Sequence, residues 1–142
     1  MAVTTVGEVM MKDVPTLSEE DDLAHARTLM LQNRTRHLPV VGGDGHLIGL
    51  ISQRDLLRLR ESPFSGTSST EQEVIDRETK VGNVMTQRLR TASPTTPLIE
   101  AAEMLRDQPI SCIPVVDGER LVGLITGITF IEMIVGQLEK ES

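Results

Sequence analysis

The chain has 142 residues, of which 39% are hydrophobic and 25% charged, and a formal net charge of −7 at pH 7. The negative charge and the near absence of aromatic residues (two Phe, no Trp, no Tyr) argue against nucleic-acid binding, which needs cationic side chains and stacking platforms. No apolar run is long enough to cross a bilayer, no secretory leader is recognisable, and one cysteine excludes an intrachain disulfide, so we expect a cytoplasmic protein without membrane contacts.

One unit occurs twice in the sequence. The segment "VGEVMMKDVPTLSEEDDLAHARTLMLQNRTRHLPVV", starting at Val6, aligns without a gap with "VGNVMTQRLRTASPTTPLIEAAEMLRDQPISCIPVV", starting at Val81. Beyond the shared "PVV", "LIGLIS" aligns with "LVGLIT", and the second copy is one residue shorter. We therefore expect a first unit at 1–60, a linker at 61–80 and a second unit at 81–142. Because a copy of about 60 residues is marginally stable alone, the copies should pack on each other.

The elements of each copy follow from its apolar pattern. "VPTLS" and "LRTAS" predict short extended segments, and a helix follows each of them, with apolar residues such as Leu23 and Leu98 on one face. Ser18 with the following "EEDD" suits the start of the first helix, and Pro94 and Pro97 suit the start of its counterpart. Two apolar runs come next, and a second helix begins near Ser52 or Thr126. The order per copy is strand, helix, strand, strand, helix.

The glycines of "GGDGH" (42–46) have two interpretations, a phosphate-binding loop or a hairpin turn. The second copy has the shorter "DGER" (117–120) at this place, and a turn tolerates such variation whereas a phosphate cradle does not. The glycines also lie between two β-like runs, not between a strand and a helix. We therefore predict a turn.

The linker combines two kinds of sequence. Its first half, "ESPFSGTSS", is rich in Pro, Ser, Gly and Thr, which predicts mobility. Its second half contains "TEQEVIDRE", which predicts a short helix that docks on a neighbour through Val74 and Ile75.

The duplicated unit resembles the CBS domain, and the whole chain resembles a tandem CBS pair, a Bateman module. The resemblance rests on "VGEVM" and "VGNVM", on "RHLPVV" and "SCIPVV", and on "LIGLISQRDLL" and "LVGLITGITFI", which occur in the same order in both copies. It implies an α/β (α+β) fold of two CBS units, each β-α-β-β-α, related by a pseudo-twofold axis and packed through small sheets. It also implies a homodimer.

For function, the resemblance implies a regulatory, non-catalytic module that binds an adenosyl ligand (AMP, ADP, ATP or S-adenosylmethionine) in the cleft between the paired units. Energy sensing and signalling to a partner protein would follow, and no obligatory cofactor is implied. A Ser/Thr-x-x-Asp motif would hold ribose and phosphate, and here it is Ser52-Gln53-Arg54-Asp55. By the same resemblance the first cleft would comprise Ser52, Arg54, Asp55, Arg88, Leu89, Arg90, Ser111 and Cys112.

The second copy departs from the motif, because Thr129 stands where the first copy has Asp55. One hydroxyl cannot accept hydrogen bonds from two ribose hydroxyls as a carboxylate does. The resemblance therefore implies a second, degenerate cleft, with Val14, Pro15, Arg36, His37, Thr126 and Thr129.

Each of these features also has a purely structural interpretation. Ser-x-x-Asp is an ordinary helix cap, and Arg88 and Arg90 could lie on a solvated edge. The basic cluster around Arg36 could complement a helix C-terminus. The chain could then be a ligand-independent structural or dimerisation module. We predict no catalytic residue and no metal site, because no nucleophile–base pair and no metal-ligand spacing is present.

Overall fold

The computed structural model describes residues 3–60 and 69–141. This part of the chain contains five α-helices and two antiparallel two-stranded sheets, which confirms the mixed α/β fold. The helices are α1 (Leu23–Asn33), α2 (Gln53–Arg60), α3 (Ser69–Glu78), α4 (Leu98–Asp107) and α5 (Gly127–Glu141). The strands are β1 (His37–Val41), β2 (Leu47–Ser52), β3 (Cys112–Asp117) and β4 (Arg120–Thr126).

The chain folds into two compact units that do not coincide with the two sequence copies. The central unit, so called for its place in the sequence, comprises Pro15–Leu89, and the terminal unit comprises Met1–Val14 and Arg90–Ser142. Each unit therefore holds the sheet of one copy and the opening segment of the other copy.

Backbone hydrogen bonds fix this exchange of opening segments. In the terminal unit the N–H of Gly7 donates to the carbonyl of Pro94 at 2.8 Å. In the central unit the N–H of Gly82 donates to the carbonyl of Glu19 at 2.9 Å. The sequence repeat showed two copies but could not show which copy each opening segment joins.

Each sheet is a hairpin whose turn contains glycine. β1 pairs with β2 and β3 with β4, and both ladders shift register before the last pairs. Gly45 (φ 85°) and Gly118 (φ 65°) occupy the left-handed backbone region that glycine adopts without strain. The turn interpretation of "GGDGH" is confirmed.

The extended segments before α1 and α4 are shorter than the predicted strands. Leu17 forms a single parallel bridge to Val40, and Ala92 forms the equivalent bridge to Val115. Each segment contributes one buried side chain to its unit, and the pairing does not continue into a regular strand.

The start of α1 differs from the sequence prediction, whereas that of α4 agrees with it. α1 begins after Asp22, whose carboxylate accepts a hydrogen bond from the N–H of His25 at 2.8 Å. Ser18, the predicted start, instead shapes the preceding turn by accepting a hydrogen bond from the N–H of Glu20. Pro97 precedes α4, as predicted, and provides no side-chain cap.

Each unit has a separate apolar core between its helices and its sheet. Buried residues of the central core include Leu17, Leu23, Ala26, Leu38, Val40, Ile51 and Val81. Those of the terminal core include Val6, Ala101, Ile113, Val115 and Ile125. Val6 and Val81 each belong to the core of the unit that holds the other copy's sheet.

Helix α3 is present as predicted, but it docks through a different residue. The Asp76 residue is 3% exposed, whereas Val74 and Ile75 are 46% and 47% exposed. The carboxylate of Asp76 accepts hydrogen bonds from Arg27 of α1, at 2.8 and 3.3 Å. The prediction that Val74 and Ile75 dock was therefore wrong within this chain. Residues 61–68, the first part of the predicted linker, lie outside the described residues.

Candidate functional site

The Ser-x-x-Asp motif lies at the junction of β2 and α2 in the central unit. The backbone N–H of Ser52 donates to Oδ2 of Asp55 at 2.9 Å, and the N–H of Asp55 donates to Oγ of Ser52 at 3.2 Å. This reciprocal pair is a capping box. The motif is therefore a helix cap, and the half-buried position of both side chains leaves them in reach of solvent.

The cap does not use the full capacity of the Asp55 carboxylate. A carboxylate has about four acceptor positions. The cap uses one of them, for the Ser52 N–H, because the second hydrogen bond of the cap is accepted by Oγ of Ser52. A ribose diol could therefore be accepted by the same side chain. The cap and the ligand contact are chemically compatible.

The backbone donors at this helix start are largely engaged already. The N–H groups of Ser52 and Asp55 serve the cap, and the N–H of Gln53 donates to the carbonyl of Arg36 at 2.8 Å. Few N–H groups therefore remain free to bind a phosphate here. The exposed Arg54 side chain is the more suitable group for a phosphate.

His37 lies beside the motif within the same unit. It is the first residue of β1 and pairs with Ser52 across the hairpin. Burial of the imidazole and the neighbouring Arg36 lower the pKa of His37 below its ordinary value, and the Asp55 carboxylate partly offsets this. The imidazole is therefore neutral at pH 7 and can both donate and accept a hydrogen bond.

The structure thus groups residues that the sequence analysis had assigned to different clefts. Arg36 and His37, predicted for the second cleft, share the central unit with Ser52 and Asp55. The hydrogen bond from the Gln53 N–H to the Arg36 carbonyl connects residues 33–37 ("NRTRH") to the Ser-x-x-Asp motif. No sequence signal indicated this link, because it depends on the register of a hairpin.

The other predicted residues are divided between the units. The central unit also contains Pro15, Arg88 and Leu89, and of these the Arg88 side chain is exposed. Val14, Arg90, Ser111, Cys112, Thr126 and Thr129 lie in the terminal unit.

The corresponding helix start of the terminal unit has a hydroxyl in place of the carboxylate. The N–H of Thr126 donates to Oγ1 of Thr129 at 3.2 Å. Thr126 and Thr129 are 8% and 5% exposed, so both are more deeply buried than the motif of the first copy. This start of α5 retains its cap but offers less acceptor capacity to a ligand.

The surroundings of Cys112 and Arg90 in the terminal unit indicate structural roles for both side chains. Cys112 is buried on β3 opposite Thr126, and burial raises its thiol pKa to about 12. Such a thiol is protonated at neutral pH and is a poor nucleophile. Nε of Arg90 donates to Oε1 of Gln108 at 2.8 Å, which restrains this exposed side chain within the terminal unit.

Neither a cluster of metal-ligating side chains nor a membrane-spanning helix is present in residues 3–60 and 69–141. No group of three His, Cys, Asp or Glu side chains in these ranges could hold a metal ion. Nor does any helix there combine the length and apolar character that a bilayer span requires. The acidic "EEDD" segment is used locally, since Asp21 accepts from the Ser18 N–H and Asp22 caps α1.

Both copies of the repeated unit match a known family. The CBS domain family matches residues 6–62 and 81–136, and this chain belongs to that family as a tandem CBS pair. A CBS domain-containing protein of Dictyostelium discoideum is 31% identical over 135 residues, which cover 94% of this chain and 93% of the relative. Several other relatives are longer, and the chain spans between 22% and 24% of the homoserine O-acetyltransferases that it matches.

Two solved structures extend this similarity over nearly the whole chain. A Vibrio cholerae protein assigned to acetoin utilization has a TM-score of 0.80 and 34% identity, with 97% of this chain and 96% of the other covered. The protein CBSX2, solved in complex with AMP, has a TM-score of 0.78 and 25% identity, with 96% and 99% covered.

Proposed function

We propose that this protein is a non-catalytic regulatory module that binds an adenosine-containing ligand and signals its presence to a partner protein. The ligand would be AMP, ADP, ATP or S-adenosylmethionine. The module would act as a homodimer in the cytoplasm, and adenine nucleotides would connect it to energy sensing.

The observation that carries the proposal is the position of Asp55. Its carboxylate is fixed at the start of α2 by the N–H of Ser52 and retains acceptor capacity for a ribose diol. Arg54 adds an exposed cation for phosphate, and His37 pairs with Ser52 across the hairpin beside the motif. Arg88 and Leu89 belong to the same unit, and contacts from Arg90, Ser111 and Cys112 of the terminal unit stay predictions.

Similarity supports the ligand class. The CBSX2 structure contains AMP and shares the fold over nearly its full length. Because this chain has the same fold and a fixed carboxylate at Asp55, we propose that it also recognises adenosine. The proposal does not specify the number of phosphates on the ligand.

The second site, around Thr126 and Thr129, would contribute weakly or bind another ligand. Its capping hydroxyl is buried and already accepts the Thr126 N–H. We therefore assign the principal ligand contact to the Asp55 site. Ligand binding would act by a shift in population toward the conformation that contacts the ligand, which changes the surface offered to the partner.

A ligand-independent structural or dimerisation module is the second candidate. The observation that favours it is the engagement of Ser52, Gln53 and Asp55 in local hydrogen bonds, which gives the motif a complete structural role without any ligand. Binding measurements separate the two candidates.

The experiment is thermal unfolding followed with an extrinsic dye, since the chain has no Trp or Tyr. The compounds AMP, ADP, ATP, S-adenosylmethionine, NAD and GTP are each added at about 1 mM. A ligand with a dissociation constant of about 10 μM stabilises the folded state by about 2.7 kcal/mol. A shift with adenosine compounds and none with GTP is the expected result, and no shift with any compound favours the structural module.

The variant Asp55→Asn tests the residue assignment, and Asp22→Asn is its matched control. Each carboxylate accepts a backbone N–H at a helix start of the central unit, and the amide oxygen of Asn can accept the same hydrogen bond, so both variants should fold. We expect Asp55→Asn to lower the affinity for the ligand about 10- to 100-fold, because a hydrogen bond to a charged group is lost. Asp22→Asn should retain the wild-type affinity. Equal affinities for the two variants would show that Asp55 is a cap only.

A further inference from the structure

Helix α3 is attached to the central unit by polar side chains and leaves its apolar side chains outside. Asp76 is 3% exposed and accepts hydrogen bonds from Nε of Arg27 and from Nε2 of Gln72. Val74 and Ile75 are 46% and 47% exposed. A surface helix usually buries its apolar side chains and exposes its charged ones, and α3 has the reverse arrangement. A buried carboxylate and an exposed aliphatic pair on one short helix indicate that the pair has another contact to make.

The helical spacing places the aliphatic pair on one face of α3, with a glutamate at each end. Positions i, i+3, i+4 and i+7 share a face of a helix, and here they are occupied by Glu71, Val74, Ile75 and Glu78. All four residues are exposed. We call them the outer face of α3. At 1.5 Å per residue this face is about 10 Å long, which is two helical turns.

The charge of α3 determines what chemistry can cover this face. Residues 69–78 contain four acidic residues and one arginine, a net charge of −3. The pairing of Asp76 with Arg27 neutralises one of these negative charges, which leaves −2 at the exposed surface. Anionic lipid headgroups and nucleic-acid phosphates would therefore be repelled. A protein segment with Lys or Arg around apolar side chains would be attracted by the glutamates and would bury the aliphatic pair.

Helix α3 also lies beside the helix that carries Asp55. Arg27, which pairs with Asp76, donates through Nη2 to the carbonyl of Leu56 at 3.5 Å. Leu56 directly follows Asp55 in α2. The helix of the outer face is therefore connected through one side chain to the helix of the proposed ligand site.

We propose that the outer face of α3 is the docking surface for the partner protein, and that the partner contributes a segment in which apolar side chains are flanked by Lys or Arg. Val74 and Ile75 pack against the apolar side chains of this segment, and Glu78 pairs with one of its cations. The inference rests on the proposed function, in which the module signals to a partner protein. Its tests use no nucleotide, so that their outcome is separate from that of the ligand-binding experiment.

The first test selects phage-displayed peptides on the full-length wild type, with the variant Val74→Glu as the counter-selection. The peptides have about 12 residues, enough for three helical turns. Val74 is half-exposed and the pair of Asp76 and Arg27 stays in place, so Val74→Glu should unfold at the wild-type temperature. We expect the enriched peptides to combine Lys or Arg with apolar residues. Failure to enrich any peptide, or enrichment of peptides without Lys and Arg, overturns the proposal.

The second test measures the affinity of an enriched, fluorescently labelled peptide by anisotropy, with variants that were not used in the selection. Ile75→Glu and Glu78→Lys alter the outer face, and Glu103→Lys makes the same charge change at an exposed position of α4 as a control. We expect the affinity to fall about tenfold in both outer-face variants and to stay at the wild-type value in the control. Equal affinities for all four proteins would show that the peptide binds elsewhere and would overturn the proposal.

A second copy of this chain is the competing occupant of the outer face, and sedimentation velocity distinguishes it from a partner protein. If a second copy covers Val74 and Ile75, the charge introduced by Ile75→Glu must lower the degree of self-association. We expect the sedimentation coefficients of Ile75→Glu, Glu78→Lys and the wild type to agree at equal concentration. A shift of either variant toward a smaller species would assign the outer face to self-association and would overturn the proposal.

Discussion

The guanidinium of Arg27 and the carboxylate of Asp76 form an ion pair between α1 and α3, with Nε of Arg27 2.8 Å from Oδ2 of Asp76. The side chains are 19% and 5% exposed. The same carboxylate also accepts a second hydrogen bond from Arg27, at 3.3 Å, and one from Nε2 of Gln72, at 3.0 Å. A helix with little apolar character is thereby held against the central unit by a charged side chain.

We predict that Asp76→Ala destabilises the protein by about 3 kcal/mol, because it leaves the guanidinium of Arg27 largely buried without its partner. Arg27→Ala should also destabilise, and the double variant should cost less than the sum of the two, since neither charge then remains unpaired. The measurement is urea unfolding of the four proteins of this double-mutant cycle. The exposed pair of Lys80 and Glu20 is the control, and it should show no measurable coupling. Strict additivity at Arg27 and Asp76 would contradict this account.

The second prediction compares two glycines that occupy equivalent positions in β2 and β4. A Cβ added at Gly123 would lie 2.7 Å from Sδ of Met10 and 2.8 Å from the carbonyl oxygen of Met11. The three atoms nearest to a Cβ added at Gly49 all belong to the Met85 side chain. A flexible side chain can move away, whereas a hydrogen-bonded backbone cannot, so Gly123→Ala should cost more stability than Gly49→Ala, about 2–3 against about 1 kcal/mol.

Thermal and urea unfolding of both variants test this order. Gly43→Ala is the control, because a Cβ at Gly43 has no atom within 4 Å. Equal losses of stability in Gly49→Ala and Gly123→Ala would mean that the backbone at Met10–Met11 moves away from the added Cβ as easily as a side chain does. The contact between the opening segment and β4 would then be looser than the hydrogen bonds between Met11 and Leu124 indicate.

The sequence predicted the elements whose signals are local. The apolar runs and their glycine turns define both hairpins, and the apolar spacing after Asp22 and Pro97 defines α1 and α4. The exchange of opening segments could not be predicted, because Val6 and Val81 have the same sequence surroundings and either copy could accept either one. The docking of α3 was missed because apolar Val74 and Ile75 are a stronger sequence signal than Asp76, whose burial depends on Arg27.

The sequence predicted the residue types of the candidate site better than it predicted which of these residues lie together. The spacing of Ser52 and Asp55 fits a cap and a ligand contact equally well, since both use the same hydroxyl and carboxylate. The structure shows the cap, and a ligand contact requires a binding measurement. The proximity of His37 to Asp55 arises from hairpin pairing across the turn, and a residue pattern alone does not reveal it.

The last prediction concerns stability in mild acid. Burial and the neighbouring Arg36 lower the pKa of His37 below 6.5, and Asp55 opposes this only in part. Below pH 6.5 the unfolded chain therefore binds a proton at His37 more readily than the folded chain, so His37 contributes a loss of stability that grows as the pH falls from 6.5 toward the folded-state pKa. We expect His37→Gln to lose less stability than the wild type between pH 7 and pH 5, as measured by urea unfolding.

His25→Gln, at an exposed position of α1, is the control and should follow the wild type. If His37→Gln and the wild type lose stability in parallel, the protonation of His37 is not coupled to folding, and its imidazole is as accessible to protons in the folded state as in the unfolded chain.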